Sequence, residues 1–65
     1  MEIFANLPLT TQAARIYAAA HIGGTAIEAV EFEDDVDMIR VTVERDGTVY
    51  HMDCWLEGGK LYGEW

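Results

Sequence analysis

Across Asp37–Arg45, Ile39, Val41 and Val43 alternate with Arg40, Thr42 and Glu44. A period of two belongs to a strand with one buried and one wet face, so the two sets point opposite ways. Asp46-Gly47 follows at once. That dipeptide signals a two-residue type I′ hairpin turn, because both central positions need positive φ. Such a turn sets the pairing that follows. Arg45 faces Thr48, Val43 faces Tyr50, Val41 faces Met52 and Ile39 faces Cys54, while Thr42 meets His51 and Arg40 meets Asp53 on the other face. A slip of one residue would oppose apolar and polar side chains, so the pattern fixes the register.

Gly58-Gly59 turns the chain a second time. Glu57 then faces Lys60, Leu56 faces Leu61 and Trp55 faces Tyr62, and the same register carries Met52 to Trp65. The predicted core face is Ile39, Val41, Val43, Tyr50, Met52, Cys54, Leu56, Leu61 and Trp65, joined by Val30 and Phe32 from an earlier strand.

Upstream, Pro8 holds residue 7 extended, and Thr10 or Thr11 caps an Ala-rich helix from Thr11 to His21. Ala13, Ile16, Tyr17 and Ala20 recur at helical spacing as its expected buried stripe. Gly23 and Gly24 end it, with His21 at the negative end of the dipole. Thr25-Ala-Ile-Glu28 matches a capping box, so residues 25–29 read as a turn or short second helix. A strand then runs through Glu33, where Val30-Glu31-Phe32-Glu33 alternates. The fold expected is a single α+β domain over residues 1–65. It is an antiparallel meander of three to four strands with one main N-terminal helix packed on one face.

Charge narrows the partners. Twelve Asp and Glu stand against four Lys and Arg, a formal net charge of −8. Binding to nucleic acid needs cations that neutralise phosphates, and an anionic membrane surface repels such a chain. High charge with low hydrophobicity would mean disorder, but 51% of the residues are hydrophobic, so the chain is expected to fold. No apolar run nears the roughly 18–20 residues of a membrane span. MEIFANLP lacks the basic n-region and apolar h-region of a secretory signal. A single cysteine, Cys54, forms no intrachain disulfide, which points to a reducing cytosol.

Six of the 12 acidic residues, Glu28, Glu31, Glu33, Asp34, Asp35 and Asp37, fall between positions 28 and 37 with no basic residue among them. Glu31 and Glu33, two apart on a strand, form a row of anions on one face. Glu44, Asp46, Asp53, Glu57 and Glu64 add charge from the exposed face or turns of the hairpins. Such a surface suits a groove lined by Lys and Arg. Solubility alone is the simpler account of the same charges. Trp55 and Tyr62 either pack on one another or, rimmed by Asp53, Glu57 and Glu64, anchor an interface.

Metal and catalytic readings carry less. Asp35-Val-Asp37 begins like a calcium loop but lacks its Gly and terminal Glu. Cys54 points into the core while His51 and Asp53 point out, so the three do not converge as ligands. Cys54 beside His21 or His51 reads better as a small core residue than as a nucleophile, and a sheet this short encloses no pocket to tune a catalytic acid. No cofactor, metal or enzymatic activity is expected.

In length, net charge, the carboxylate cluster EAVEFEDDVD and a helix-plus-hairpins layout, the chain resembles the small acidic inhibitors encoded by phages, the anti-CRISPR proteins and antirestriction DNA mimics. The resemblance implies a stoichiometric inhibitor in the bacterial cytoplasm. It would occupy the basic DNA channel of a CRISPR–Cas effector complex of type I and block target recognition by charge mimicry. The partner-binding residues expected are Glu28, Glu31, Glu33, Asp34, Asp35 and Asp37, supported by Glu44, Asp53, Glu57 and Glu64. A monomer is the favoured state, with a dimer as the alternative. The alternative is a small assembly module that binds a protein partner, or a second copy, through the aromatic hairpin face.

Overall fold

The computed structural model describes residues 10–32, 34 and 37–65. One helix, α1 (Thr11–Ile22), precedes four strands: β1 (Thr25–Glu31), β2 (Met38–Arg45), β3 (Thr48–Glu57) and β4 (Lys60–Glu64). The strands form one antiparallel sheet in the order β1-β2-β3-β4, with α1 packed on one face. This is the expected α+β layout.

Both hairpins have the register that the alternation dictates. Ile39 pairs with Cys54, Val41 with Met52 and Val43 with Tyr50, while Arg40 pairs with Asp53 and Thr42 with His51. Trp55 pairs with Tyr62 and Leu56 with Leu61. Asp46 and Gly47 have φ of 52° and 82°, as a type I′ turn requires.

The helix begins where the sequence places it. Thr10 is extended, and its Oγ1 accepts a 3.1 Å hydrogen bond from the Ala13 amide. At the other end the Gly23 and Gly24 amides both donate to the Ala19 carbonyl. Arg45 closes the remaining gap: its Nη1 donates to the Ile22 carbonyl at 2.8 Å, and its guanidinium lies 5.0 Å from the centre of the Tyr50 ring. A cation at a helix C-terminus offsets both the unpaired carbonyls and the dipole.

The buried stripe is Ala14, Ala18 and Ile22, with Tyr17 half-buried beside it. Three positions of the expected stripe lie elsewhere: Ala13 and Ala20 are exposed, and Ile16 is 65% exposed. In a helix so rich in alanine, several phases bury similar apolar area. Close approach decides among them, and the smallest side chains win. Ala14 and Ala18 join the same core as Ala26 and Ala29 of β1. Tyr17 reaches over Gly63, where an added Cβ would stand 2.8 Å from its Cε2 and 2.6 Å from Met52 Sδ. Gly24 fits against the Glu44 backbone, whose carbonyl oxygen a Cβ there would strike.

Residues 25–29 are strand, not turn or helix. Thr25 already pairs with Glu44, so Glu28 caps nothing. A bulge between Ala26 and Glu28 inserts Ile27 and changes which residues face the core. Ala26 opposes Val43 and Ala29 opposes Val41 on the helix side, whereas Val30 opposes Arg40 on the open side and is 52% exposed. Phe32 is likewise not a core residue; it is half-buried with the Arg40 guanidinium over its ring. The extension of this strand through Glu33 lies outside the described residues. Trp65 also departs from the core, at 56% exposed, because α1 lies mainly over β1 and β2 and leaves the helix side of β4 half-covered. Its ring meets Tyr50 edge-on at 5.5 Å.

This packing predicts opposite outcomes at adjacent alanines. Ala14→Leu or Ala18→Leu should cost about 1–3 kcal/mol by overpacking, whereas Ala13→Leu should change stability by less than about 0.5 kcal/mol. Thermal unfolding followed by circular dichroism checks the contrast.

Candidate functional site

The face of the sheet away from α1 carries the charged and aromatic side chains in register. Thr25, Glu28 and Val30 of β1 lie on it, followed by Met38, Arg40, Thr42 and Glu44 of β2. Val49, His51, Asp53, Trp55 and Glu57 of β3 and Lys60, Tyr62 and Glu64 of β4 complete it. Apolar side chains gather toward one end, in the row Met38, Trp55 and Tyr62. Carboxylates flank that row.

Arg40 organises the centre. Its Nε donates to Asp53 Oδ1 at 2.7 Å and its Nη2 to Oδ2 at 3.2 Å, a two-point hold on the carboxylate. The guanidinium also lies 5.5 Å from the Phe32 ring centre. The Asp53 hydrogen bond, then its charge, push the Arg40 pKa further up, so this cation is permanent. Beside the pair, Thr42 Oγ1 and His51 Nδ1 are hydrogen-bonded at 3.2 Å. Trp55 and Tyr62 stack, with ring centres 6.0 Å apart and planes 20° apart. Val30, Glu31, Phe32 and Arg40 line an open depression of about 310 Å³ at the edge of the sheet, where β1 ends.

The described members of the predicted acidic cluster do not share one face. Glu28 lies on the open face, but the bulge puts Glu31 opposite Ile39 on the helix side, at the exposed edge of β1. Glu31 therefore does not share the open face. Asp34 and Asp37 are exposed between β1 and β2, and Glu33 and Asp35 lie outside the described residues. Glu44 and Glu64 are exposed on the open face, and Glu57 is exposed at the second hairpin. Asp53 is half-buried and already engaged by Arg40. The expected cross-strand pair of Arg40 with Asp53 is thus present, and it takes Asp53 out of the free anionic surface.

Sequence reasoning missed the contribution of Val30, Phe32 and Met38 to this face. The bulge that brings Val30 round has no sequence signature of its own. A signal for Met38 was present, since it has the same parity as Arg40 and Thr42.

Cys54 is fully buried on the helix side, opposite in direction to His51 and Asp53 on the same strand. Burial, with a smaller push from the Asp53 charge, raises its thiol pKa to about 11. Among the described residues no three His, Cys, Asp or Glu side chains converge to hold a metal ion. Among those residues, too, no helix is long and apolar enough to cross a membrane. A scan against protein-family models and searches of curated proteins and of solved structures find no match to this chain.

The Cys54 shift predicts an alkaline weakness. Below about pH 8.5 the thiol is protonated in both folded and unfolded chains and adds no pH dependence. At higher pH the unfolded chain gives up a proton that the folded chain retains until about pH 11. Stability is therefore lost progressively across that window, by about 2–3 kcal/mol in total. Cys54→Ala should remove this part of the slope, measured as the difference between the two melting temperatures at each pH from 7 to 11.

Proposed function

We propose that this chain is a stoichiometric binding protein, not an enzyme, that presents fixed carboxylates to the basic groove of a nucleic-acid-binding protein. The partner class that fits the resemblance to phage inhibitors is a CRISPR–Cas effector complex of type I, whose DNA channel the chain would fill. It would act in the bacterial cytoplasm as a monomer.

One observation carries this reading: the acidic charge faces outward while two of the cations are already engaged by the chain's own groups. Glu28, Glu31, Asp34, Asp37, Glu44, Asp46, Glu57 and Glu64 are all exposed. Arg40 is taken up by Asp53, and Arg45 by the Ile22 carbonyl and the Tyr50 hydroxyl. The field outside the protein is therefore dominated by carboxylates on rigid strands and tight turns. Duplex DNA carries about one charge per 1.7 Å of axis, and a basic groove attracts a dense, fixed array of anions for the same reason that it attracts DNA. Holding the charges on a sheet lowers the entropy lost on binding. These charges sit on the open face, at the exposed β1 edge and in the turns. They suit a groove that closes round the protein better than a flat contact.

The test is capture and competition. Immobilised chain should retain an effector complex from cells carrying type I CRISPR–Cas. Glu28→Gln, Glu44→Gln and Glu64→Gln together should weaken that capture at least tenfold with unchanged circular dichroism. Affinity should also fall steeply between 50 and 200 mM salt, by about tenfold or more. Undiminished capture by the triple variant, or salt-insensitive binding, contradicts charge mimicry and favours the aromatic face acting alone.

A further inference from the structure

We propose that the stacked Trp55–Tyr62 pair is the seat for an arginine side chain of the protein partner. This rests on the reading of the chain as a ligand for a basic groove, and it names the contact that gives that groove a specific hold. Trp55 and Tyr62 are cross-strand neighbours on the face away from α1, and Tyr62 is 38% exposed. The register frames them with carboxylates. Asp53 and Glu64 pair with each other one same-face step along the two strands, and Glu57 lies one step the other way, opposite Lys60. Such a step is about 6.8 Å, so a cation lying on the rings is within reach of Glu64 and Glu57, while Asp53 stays engaged by Arg40.

That combination selects a guanidinium. It is planar, weakly hydrated and permanently charged, so it stacks on an aromatic face while its N–H groups fork onto a carboxylate. A lysine ammonium satisfies the charge but not the stacking. The sheet already holds one arginine in this way. Arg40 lies over Phe32 while two of its nitrogens donate to the two oxygens of Asp53. Trp55 and Tyr62 repeat the same two elements, ring and carboxylate, with Tyr62 open to solvent.

Charge decides the kind of occupant. On this face Glu28, Glu44, Asp53, Glu57 and Glu64 stand against Arg40 and Lys60. A second copy of the chain would bring like charges together, which is destabilising, whereas a cationic surface is attracted. Arginine, tryptophan and tyrosine are also the residues that most often dominate interface energetics.

The experiment uses the full chain carrying Trp65→Phe, so that Trp55 is the one tryptophan reporter. Trp65 is largely exposed and tolerates the change. Hexa-arginine and hexa-lysine are titrated separately at low salt, with Trp55 fluorescence and calorimetry as readouts. Both peptides should bind, and hexa-arginine should bind about fivefold more tightly with a change in Trp55 emission. Tyr62→Leu keeps an apolar side chain but removes the ring. It should bring hexa-arginine down to the hexa-lysine affinity and leave hexa-lysine unchanged. Equal affinities in the parent, or an arginine preference that survives Tyr62→Leu, overturn the arginine seat while the basic-groove reading stands. If neither peptide binds, the basic-groove reading falls and the seat falls with it.

Discussion

The seating of one alanine-lined helix on one edge of the sheet governs the rest of this molecule. Ala14 and Ala18 share the core with Ala26 and Ala29, and glycines at positions 24 and 63 leave room for the Glu44 backbone and the Tyr17 ring. A domain of this length buries only about 60% of its unfolded surface, so it has few contacts to lose. Among the described residues, eight fully buried apolar side chains, Ala14, Ala18, Ile22, Ile39, Val41, Val43, Met52 and Cys54, make up the core. The helix covers one face and leaves the other to solvent. Among the described residues one helix packs on the sheet, and it lies on one face.

That division also explains the charge. On the covered side, Arg45 ties the helix end to β2 and Tyr50, so a cation is consumed in joining the layers. On the open side, Arg40 is consumed in ordering Asp53 and Phe32. Among the described residues, Glu28, Glu31, Glu44, Asp46, Glu57 and Glu64 are exposed on strands or in the first hairpin turn, which gives that part of the charge a fixed geometry. On the proposed reading, the anionic surface supplies attraction to a basic groove and the stacked aromatic pair set into it supplies specificity.

How legible each part was depends on how unequal its alternatives were. Both hairpins could be read residue by residue, because Ile39, Val41 and Val43 tolerate only one parity and Asp46-Gly47 admits essentially one turn. The helix ends were equally plain, set by Thr10 and by Gly23. The helix phase was not. Alanines at positions 13, 14, 18, 19 and 20 differ little in hydrophobicity, so the choice of Ala14 and Ala18 rests on how closely the backbones approach, which sequence spacing does not encode. The bulge at Ile27 was equally hidden. It made a capping-box match at Thr25 misleading and turned Val30 outward. Glu28 and Glu31, three apart, fall on opposite faces by parity, and the bulge decides that Glu28 is the one on the open face, so neighbouring carboxylates in sequence are divided in space. The candidate site was legible in its members on β2, β3 and β4, and illegible in β1.

The central claim is that this surface stands in for nucleic acid, and competition tests it most directly. The apparent dissociation constant of the chain for a purified type I effector complex can be measured at increasing concentrations of target duplex. The account predicts one chain bound per site and an apparent constant that rises linearly with duplex concentration. An apparent constant unchanged at saturating duplex would place the contact outside the DNA channel and contradict the account.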